Sequence, residues 1–502
     1  MTYAESLASG AGPGSYEAVI GLEIHAQLST RSKAFSPDSA AFGGDPNTHV
    51  DPVSLAHPGT LPVLNGTLVE YAITMGLATS CQIAGESVFA RKHYFYPDLP
   101  KGYQISQYDL PICEHGWVEV DVPAGDSGEP LRRRIGITRI HMEEDAGKSI
   151  HDQDPRASLV DFNRCGVPLV EIVTEPDIRT PAEAGAFLRR VRQIVRYLGI
   201  CDGNMEEGSL RCDANVSVRP TGAEAFGTKA EVKNLNSIRN VERAIEHEIG
   251  RQVALLERGG AVVQETRLWD AGRGVTRSMR SKEAAHDYRY FPDPDLPPVV
   301  VHDTLLARLR ANLPEMPDVR RERLERELGL PAYDAGVLTD DRALADYFEA
   351  ALLALASGDP SPDEAKLISN FVMGDVQRVL NERGLEVDGL PVQPTRLAAL
   401  AGMRQRGEVS SSAATAIFDA MLDRPEAPEE VARDLDLLQV SDAGALEPVI
   451  DGVIEANPKQ VAQYRAGKTT VIGFFVGQVM RAFPGSPDPK LVRDLLEERL
   501  AG

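Results

Sequence analysis

Between Val19 and Leu28 the chain reads VIGLEIHAQL, and this stretch restricts the possible folds more tightly than any other. Side chains alternate faces along a strand, so Ile20, Leu22, Ile24, Ala26 and Leu28 share one side while Glu23, His25 and Gln27 share the other. SLRCDANVSVR repeats the design, with Leu210, Cys212, Ala214, Val216 and Val218 opposite Arg211, Asp213, Asn215, Ser217 and Arg219. In KAEVKN, Ala230 and Val232 alternate with Lys229, Glu231 and Lys233. A period of two over several strands calls for an antiparallel sheet with one greasy face covered and one face open. The open face here is rich in groups that bind metals and phosphates, which an ordinary solvated strand of Thr, Lys and Ser is not.

Two helices suit the greasy face. TPAEAGAFLRRVRQIVRYLG opens with Thr180, Pro181 and Glu183 as a capping box and closes at Gly199, with an apolar stripe of Phe187, Val191, Ile194, Val195 and Leu198. SIRNVERAIEHEIGRQVALLERGG carries Ile238, Val241, Ile245, Ile249, Val253 and Leu256 on one side and stops at a glycine pair. The proline-rich run YFPDPDLPPVV (290–300) marks a boundary. Beyond it the pattern is helical, including SPDEAKLISNFVMGDVQRVLNERG with its Ser361–Glu364 capping box, until a second break at GLEVDGLPVQPTRL. The expectation is an α+β chain: a largely antiparallel sheet cradle with covering helices over 1–293, an all-helical domain over 294–393, and a helical tail over 394–502.

A chain of 502 residues suits such a division, being too long for one core. No apolar run approaches the roughly 20 residues of a membrane helix, and the opening MTYAESLASGAGPGSY lacks an export pattern. Five scattered cysteines without a CxxC fit reduced thiols. The chain is therefore expected in the cytoplasm, with no membrane partner. A net charge of −22 repels nucleic acid except at local basic patches. The best of these is RLWDAGRGVTRSMRSKEAAHDYRYF, with Arg267, Arg273, Arg277, Arg280, Lys282 and Arg289 around Trp269 and Tyr288. Such a run is more often a solvated loop.

Acidic groups are the sharper signal. RIHMEEDAGKSIH sets Glu143, Glu144 and Asp145 between two histidines, and like charges this close need water or a cation. In PLVEIVTEPD, Glu171 has apolar neighbours on both faces of its strand, so its carboxylate is buried and requires an ion pair or a divalent metal. AQYRAGKTT (462–470) imitates a phosphate loop, but a helical pattern rather than a strand precedes it.

VIGLEIHAQL, RKHYFYPDLPKGYQISQYD, RIHMEEDAGKSIH, DFNRCGVPLVEIVTEPDIR, GNMEEGSLRCDANVSVRP and KAEVKNLNSIRNVERAIEHE, in this order, resemble the GatB family of tRNA-dependent amidotransferase subunits. The resemblance runs the full length, with a YqeY-like tail, and leaves no room for the synthetase-like insertion of the archaeal relatives. It implies a two-step reaction on Asp-tRNA(Asn) and/or Glu-tRNA(Gln): ATP phosphorylates the side-chain carboxylate, then ammonia displaces phosphate. Mg²⁺ is implied as cofactor and ATP as substrate.

By the same resemblance, the catalytic magnesium ligands fall on His25, Glu144 and Glu171. Glu23 is expected to make another metal or nucleotide contact, Lys92 to meet phosphate as a point charge, and Asp213 to bind a metal or position a polar ligand. Where many relatives hold zinc with four cysteines, this chain has Ser36, Asp38, Asp51 and Ser54, so no zinc is expected and packing or hydrogen bonds must hold that loop. No Ser-Ser-Lys amidase signature and no cysteine–base pair accounts for ammonia. The resemblance implies a separate amidase subunit and a small third subunit in a heterotrimer, with ammonia delivered through an internal channel and the tail touching tRNA by shape; the polar run MEEGSLRCD is our own expectation for the channel's end in this chain. DNA is not an expected partner. Two other readings are a non-catalytic tRNA-binding scaffold and an ATP- and Mg²⁺-dependent ligase acting on a free amino acid.

Overall fold

The computed structural model describes residues 15–123, 131–150, 153–154, 156–281, 288–440, 443–483 and 486–501. His151, Lys282 and the opening residues 1–14 lie outside these, as does the side chain of Arg280. Two compact units divide the chain, residues 1–316 and 317–502.

The first unit is built on strands β1 (Tyr16–Gln27), β2 (Gln82–Ile83), β3 (Phe89–His93), β4 (Tyr103–Gln107), β5 (Cys113–Val122), β6 (Leu131–Glu144), β7 (Pro168–Thr174), β8 (Leu210–Pro220), β9 (Ala230–Leu235), β10 (Glu265–Asp270), β11 (Val275–Ser281) and β12 (Phe291–Pro292). Nine of them form one sheet in the order β11-β10-β9-β8-β1-β7-β6-β5-β2, and β12-β3-β4 form a smaller one. Every pairing in the large sheet is antiparallel except β9 with β10. The exception follows from connectivity: a long helix crosses over between β9 and β10, and only a crossover of that kind can return a strand in the same direction.

The alternation read from the sequence is present in space. Ile20, Leu22, Ile24 and Ala26 of β1 and Cys212, Ala214, Val216 and Val218 of β8 are buried in a single core. Helices α1 (Gly66–Ala78), α2 (Pro181–Tyr197) and α3 (Ile238–Glu257) pack on strands of this sheet. Thr180 caps α2 by accepting from the Glu183 amide, while Glu183 Oε2 accepts from Arg179 N at 2.7 Å. After α3 the chain stops at Gly259 and Gly260, the first at φ +75°.

The loop between β1 and α1 holds its own cation. Lys33 is fully buried, and its Nζ sits 2.8 Å from Asp38 Oδ2 and donates to His49 O at 2.6 Å. Ser36 donates to Asp38, Ser54 Oγ donates to Asp38 Oδ2 at 2.9 Å, and Asp51 Oδ1 accepts from Val53 N and Ser54 N at 2.7 and 3.0 Å. No thiolate is among these groups. Gly166, at φ +87°, turns over the lysine; a Cβ there would come within 3.2 Å of Lys33 Cδ.

The second unit is helical. The Ser361–Glu364 capping box is formed at the start of helix Pro362–Phe371, and a π-helical turn, Val372–Val376, follows it. Helix Pro394–Gln405 packs on helix Arg342–Leu355, so the apolar cluster from Leu324 to Ala432 continues across positions 393 and 394. A separate cluster gathers Leu446, Ile450, Phe475, Val479, Val492 and Leu496. Residues 458–465, which run into the phosphate-loop imitation, are helix, preceded by helix Ala443–Ala456. Among the described residues, no helix is long and apolar enough to cross a membrane.

Candidate functional site

The open face of the large sheet is a grid whose rows are set by strand register. Arg211 stands opposite His25, His25 opposite Glu171, and Glu171 opposite His141, one row across β8, β1, β7 and β6. The adjacent row runs Asp213, Glu23, Val173 and Arg139. On the other side, Leu169 of β7 faces Glu143 of β6. With strands about 4.8 Å apart, neighbours in a row are within reach of one ion.

His25 Nε2 lies 3.3 Å from Glu171 Oε2, 3.6 Å from Glu143 Oε1 and 3.8 Å from Glu23 Oε1. His141 Nε2 is 3.3 Å from the same Glu171 oxygen and 3.7 Å from Glu143 Oε2. Two sets of donors, His25 with Glu143 and Glu171, and His25 with Glu23 and Asp213, each have ligand atoms within 4.8 Å of one another. Asp213 also pairs with Lys233, rather than with Arg211 or Arg219; Arg219 pairs with Glu17.

Charges this crowded shift one another. Burial alone would lower the His25 imidazole, but Glu171, Glu143 and Glu23 hold it up at about 9. His141 is likewise held at about 9 against burial, by Glu171 and Glu143. Burial acts to raise the Glu171 carboxyl, and the two imidazoles bring it well below its ordinary value. Glu23 is raised, by burial first and then by Glu171. Protonated imidazoles are here offsetting carboxylates, which is the work a divalent cation does. An oxygen-rich set with one imidazole suits a hard cation such as Mg²⁺. His141 meets both carboxylates through Nε2, while its Nδ1 is buried and bonds to nothing among the described residues.

Five of the six expected residues, His25, Glu171, Glu23, Asp213 and Lys92, gather here. Lys92, on β3, has its Nζ 5.1 Å from the centre of the Tyr288 ring. Burial would lower its ammonium, and Glu143, Tyr290 and Glu171 raise it instead. Glu144 is the exception, because its side chain does not join the cluster expected of it. Alternation turns its side chain away from Glu143, and Lys101 pairs with its Oε1, which also accepts from Ile105 N at 2.9 Å. Glu143 takes the place expected for Glu144.

Sequence reasoning does not single out His141, Arg211 or Tyr290 as site residues, and Tyr288 enters it only within the basic stretch. The period of two that puts Arg211 on the polar face of β8 was the available signal for it; the tyrosines offer none, because the chain leaves the large sheet before reaching them. Tyr290 stacks on Tyr108 with ring centres 4.3 Å apart and planes 8° from parallel. Among the described residues of the basic stretch, Arg267 bonds Glu265 and Thr276, Arg277 pairs with Asp270 at 3.0 Å, and Trp269 is buried in the core.

Comparison with known proteins gives the family. A family model described as the GatB/GatE catalytic domain matches residues 18–307, and a GatB domain model matches residues 346–500. A relative from Salinibacter ruber is 59% identical over 97% of this chain and 97% of its own length. Relatives from Geobacter sulfurreducens and Chlorobaculum tepidum are 56% and 55% identical, each over 97% of this chain and 100% and 99% of their own lengths. All three are named as B-type subunits of aspartyl/glutamyl-tRNA(Asn/Gln) amidotransferases. On matches of this extent, the chain belongs to the GatB family.

Proposed function

We propose that the chain is the activating and amide-forming subunit of an aspartyl/glutamyl-tRNA amidotransferase. In the first step an oxygen of the side-chain carboxylate of tRNA-bound aspartate or glutamate attacks the γ-phosphorus of ATP, and ADP leaves. In the second, ammonia attacks the acyl carbon, phosphate leaves and a proton is lost, giving the amide. A carboxylate oxygen is a poor leaving group and phosphate a good one, which is why the nucleotide is consumed.

The observation that carries this reading is the convergence of His25, Glu143 and Glu171 within 4.8 Å on the open face of the sheet. These residues would hold Mg²⁺, with Glu23 and Asp213 as a further carboxylate pair sharing His25. Bound there, the ion would offset the charge of the triphosphate and align donor and acceptor. Lys92 sits beside Glu143 and Glu171 with its charge secured, placed to donate to phosphate oxygens. Lys233 holds Asp213 in place. Ammonia comes from a partner amidase subunit held with a small third subunit, and the polar run MEEGSLRCD leads directly into the β8 residues of the site.

The test is an assay of the chain assembled with its partners, given ammonium, ATP and mischarged tRNA. ADP release that requires the attached aspartate or glutamate is expected. ATP turnover with free glutamate would point to a ligase on the free amino acid, and no turnover at all to a tRNA-binding scaffold.

A further inference from the structure

We propose that Arg211 receives the side-chain carboxylate of the amino acid attached to the tRNA. The inference rests on the phosphoryl-transfer reading above and adds to it the residue that recognises the acceptor.

Position comes first. Arg211 pairs with His25 across β8 and β1, so it is the next residue along the row His25–Glu171–His141. Its side chain rises from the same face about one strand spacing from the imidazole.

Orientation is also set. Nη2 donates to Asp145 Oδ2 at 2.8 Å, and that buried carboxylate also accepts from Gln27 Nε2 at 2.8 Å and lies 3.6 Å from Arg164 Nε. Asp145 is thus pinned from three sides and holds one corner of the guanidinium in a fixed direction.

Part of the Arg211 side chain is open to solvent. Its Nε is shielded from solvent and donates to nothing among the described residues, although 36% of the side chain is exposed. A buried N–H without an acceptor costs about 1–3 kcal/mol, a cost relieved when the side chain turns this N–H toward an acceptor. The planar fork of a guanidinium matches a planar carboxylate through two parallel hydrogen bonds. Neighbouring cations are otherwise engaged: Lys233 with Asp213 and Glu231, Lys101 with Glu144, and Lys92 over Tyr288.

The experiment compares Arg211→Lys and Arg211→Gln with the parent protein in the assembled amidotransferase. The parent must first show ADP release dependent on mischarged tRNA; if it does not, the phosphoryl-transfer reading itself falls. Both variants should lose at least tenfold in kcat/KM for mischarged tRNA. The inhibition constant of uncharged tRNA, which lacks the carboxylate, should stay within twofold, as should the affinities for Mn²⁺ and for ATP. Arg211→Lys keeps the charge and loses the fork, so it decides the matter if Arg211→Gln unfolds. A fall in ATP affinity with kcat/KM for mischarged tRNA otherwise unchanged would overturn the proposal and give the guanidinium to a phosphate. Unchanged kinetics in Arg211→Lys would leave Arg211 as no more than the anchor of Asp145, and would equally overturn it.

Discussion

A neutral amide in place of the Glu143 carboxylate would remove one of three donors around His25 while keeping nearly the same volume. Glu143→Gln is therefore expected to weaken Mn²⁺ binding by a factor of roughly ten to a hundred, the range seen when groups around a metal are altered, with little change in thermal midpoint. Glu144→Gln should behave in the opposite way. Its carboxylate is buried against Lys101 and the Ile105 amide, so the variant keeps Mn²⁺ affinity and loses about 1–3 kcal/mol of stability. Titration with Mn²⁺ and thermal unfolding on the same two variants separate the roles, and a Glu144→Gln protein that lost the metal would contradict the assignment. The two residues could have been told apart in the sequence. Ile140 and Met142 are apolar and buried, and the same period of two places His141 and Glu143 on the polar face.

At the scale of elements, alternation made much of the site legible. It identified the faces of β1 and β8, the burial of Glu171 on both sides, and the helices that cover the greasy side. What it could not supply was the register between strands. That Arg211, His25, Glu171 and His141 form one row depends on how β8, β1, β7 and β6 are aligned, and no residue along a single strand states this. Lys92 reaches the acids from the smaller β12-β3-β4 sheet, which is likewise a matter of packing. Trp269 reads as an exposed aromatic beside arginines in the sequence, yet its strand lies next to β9 and delivers it into the core. The loop before α1 carries its own prediction. Lys33→Met would leave Asp38 buried without its cation, and removing one partner of a buried pair costs about 3–5 kcal/mol. Its thermal midpoint should fall sharply, whereas a chelator added to the parent protein should leave this loop's protection from proteolysis unchanged.

For the whole molecule, a net charge of −22 means that tRNA must be held by shape and by a few local contacts, not by a general field. The continuous cluster from Leu324 to Ala432 decides where the chain can be cut. Removal of 394–502 would strip Leu397, Leu400 and Met403 from the helices that bury them, while removal of 443–502 leaves that cluster whole. The shorter deletion is expected to fold and to weaken tRNA binding without affecting glutamine hydrolysis by the proposed amidase partner, as a filter-binding and a glutaminase assay would show. Unchanged tRNA affinity would remove the tail from the RNA interface. The alternation in β1 has one further result. Glu23 and His25 project from the same backbone that buries Leu22 and Ile24, so slipping β1 by a single residue would sink the carboxylate and the imidazole into oil and lift the aliphatics into water together. Selection for a well-packed interior and selection for reactivity therefore act on one alignment, and this chain cannot misassemble its chemistry quietly.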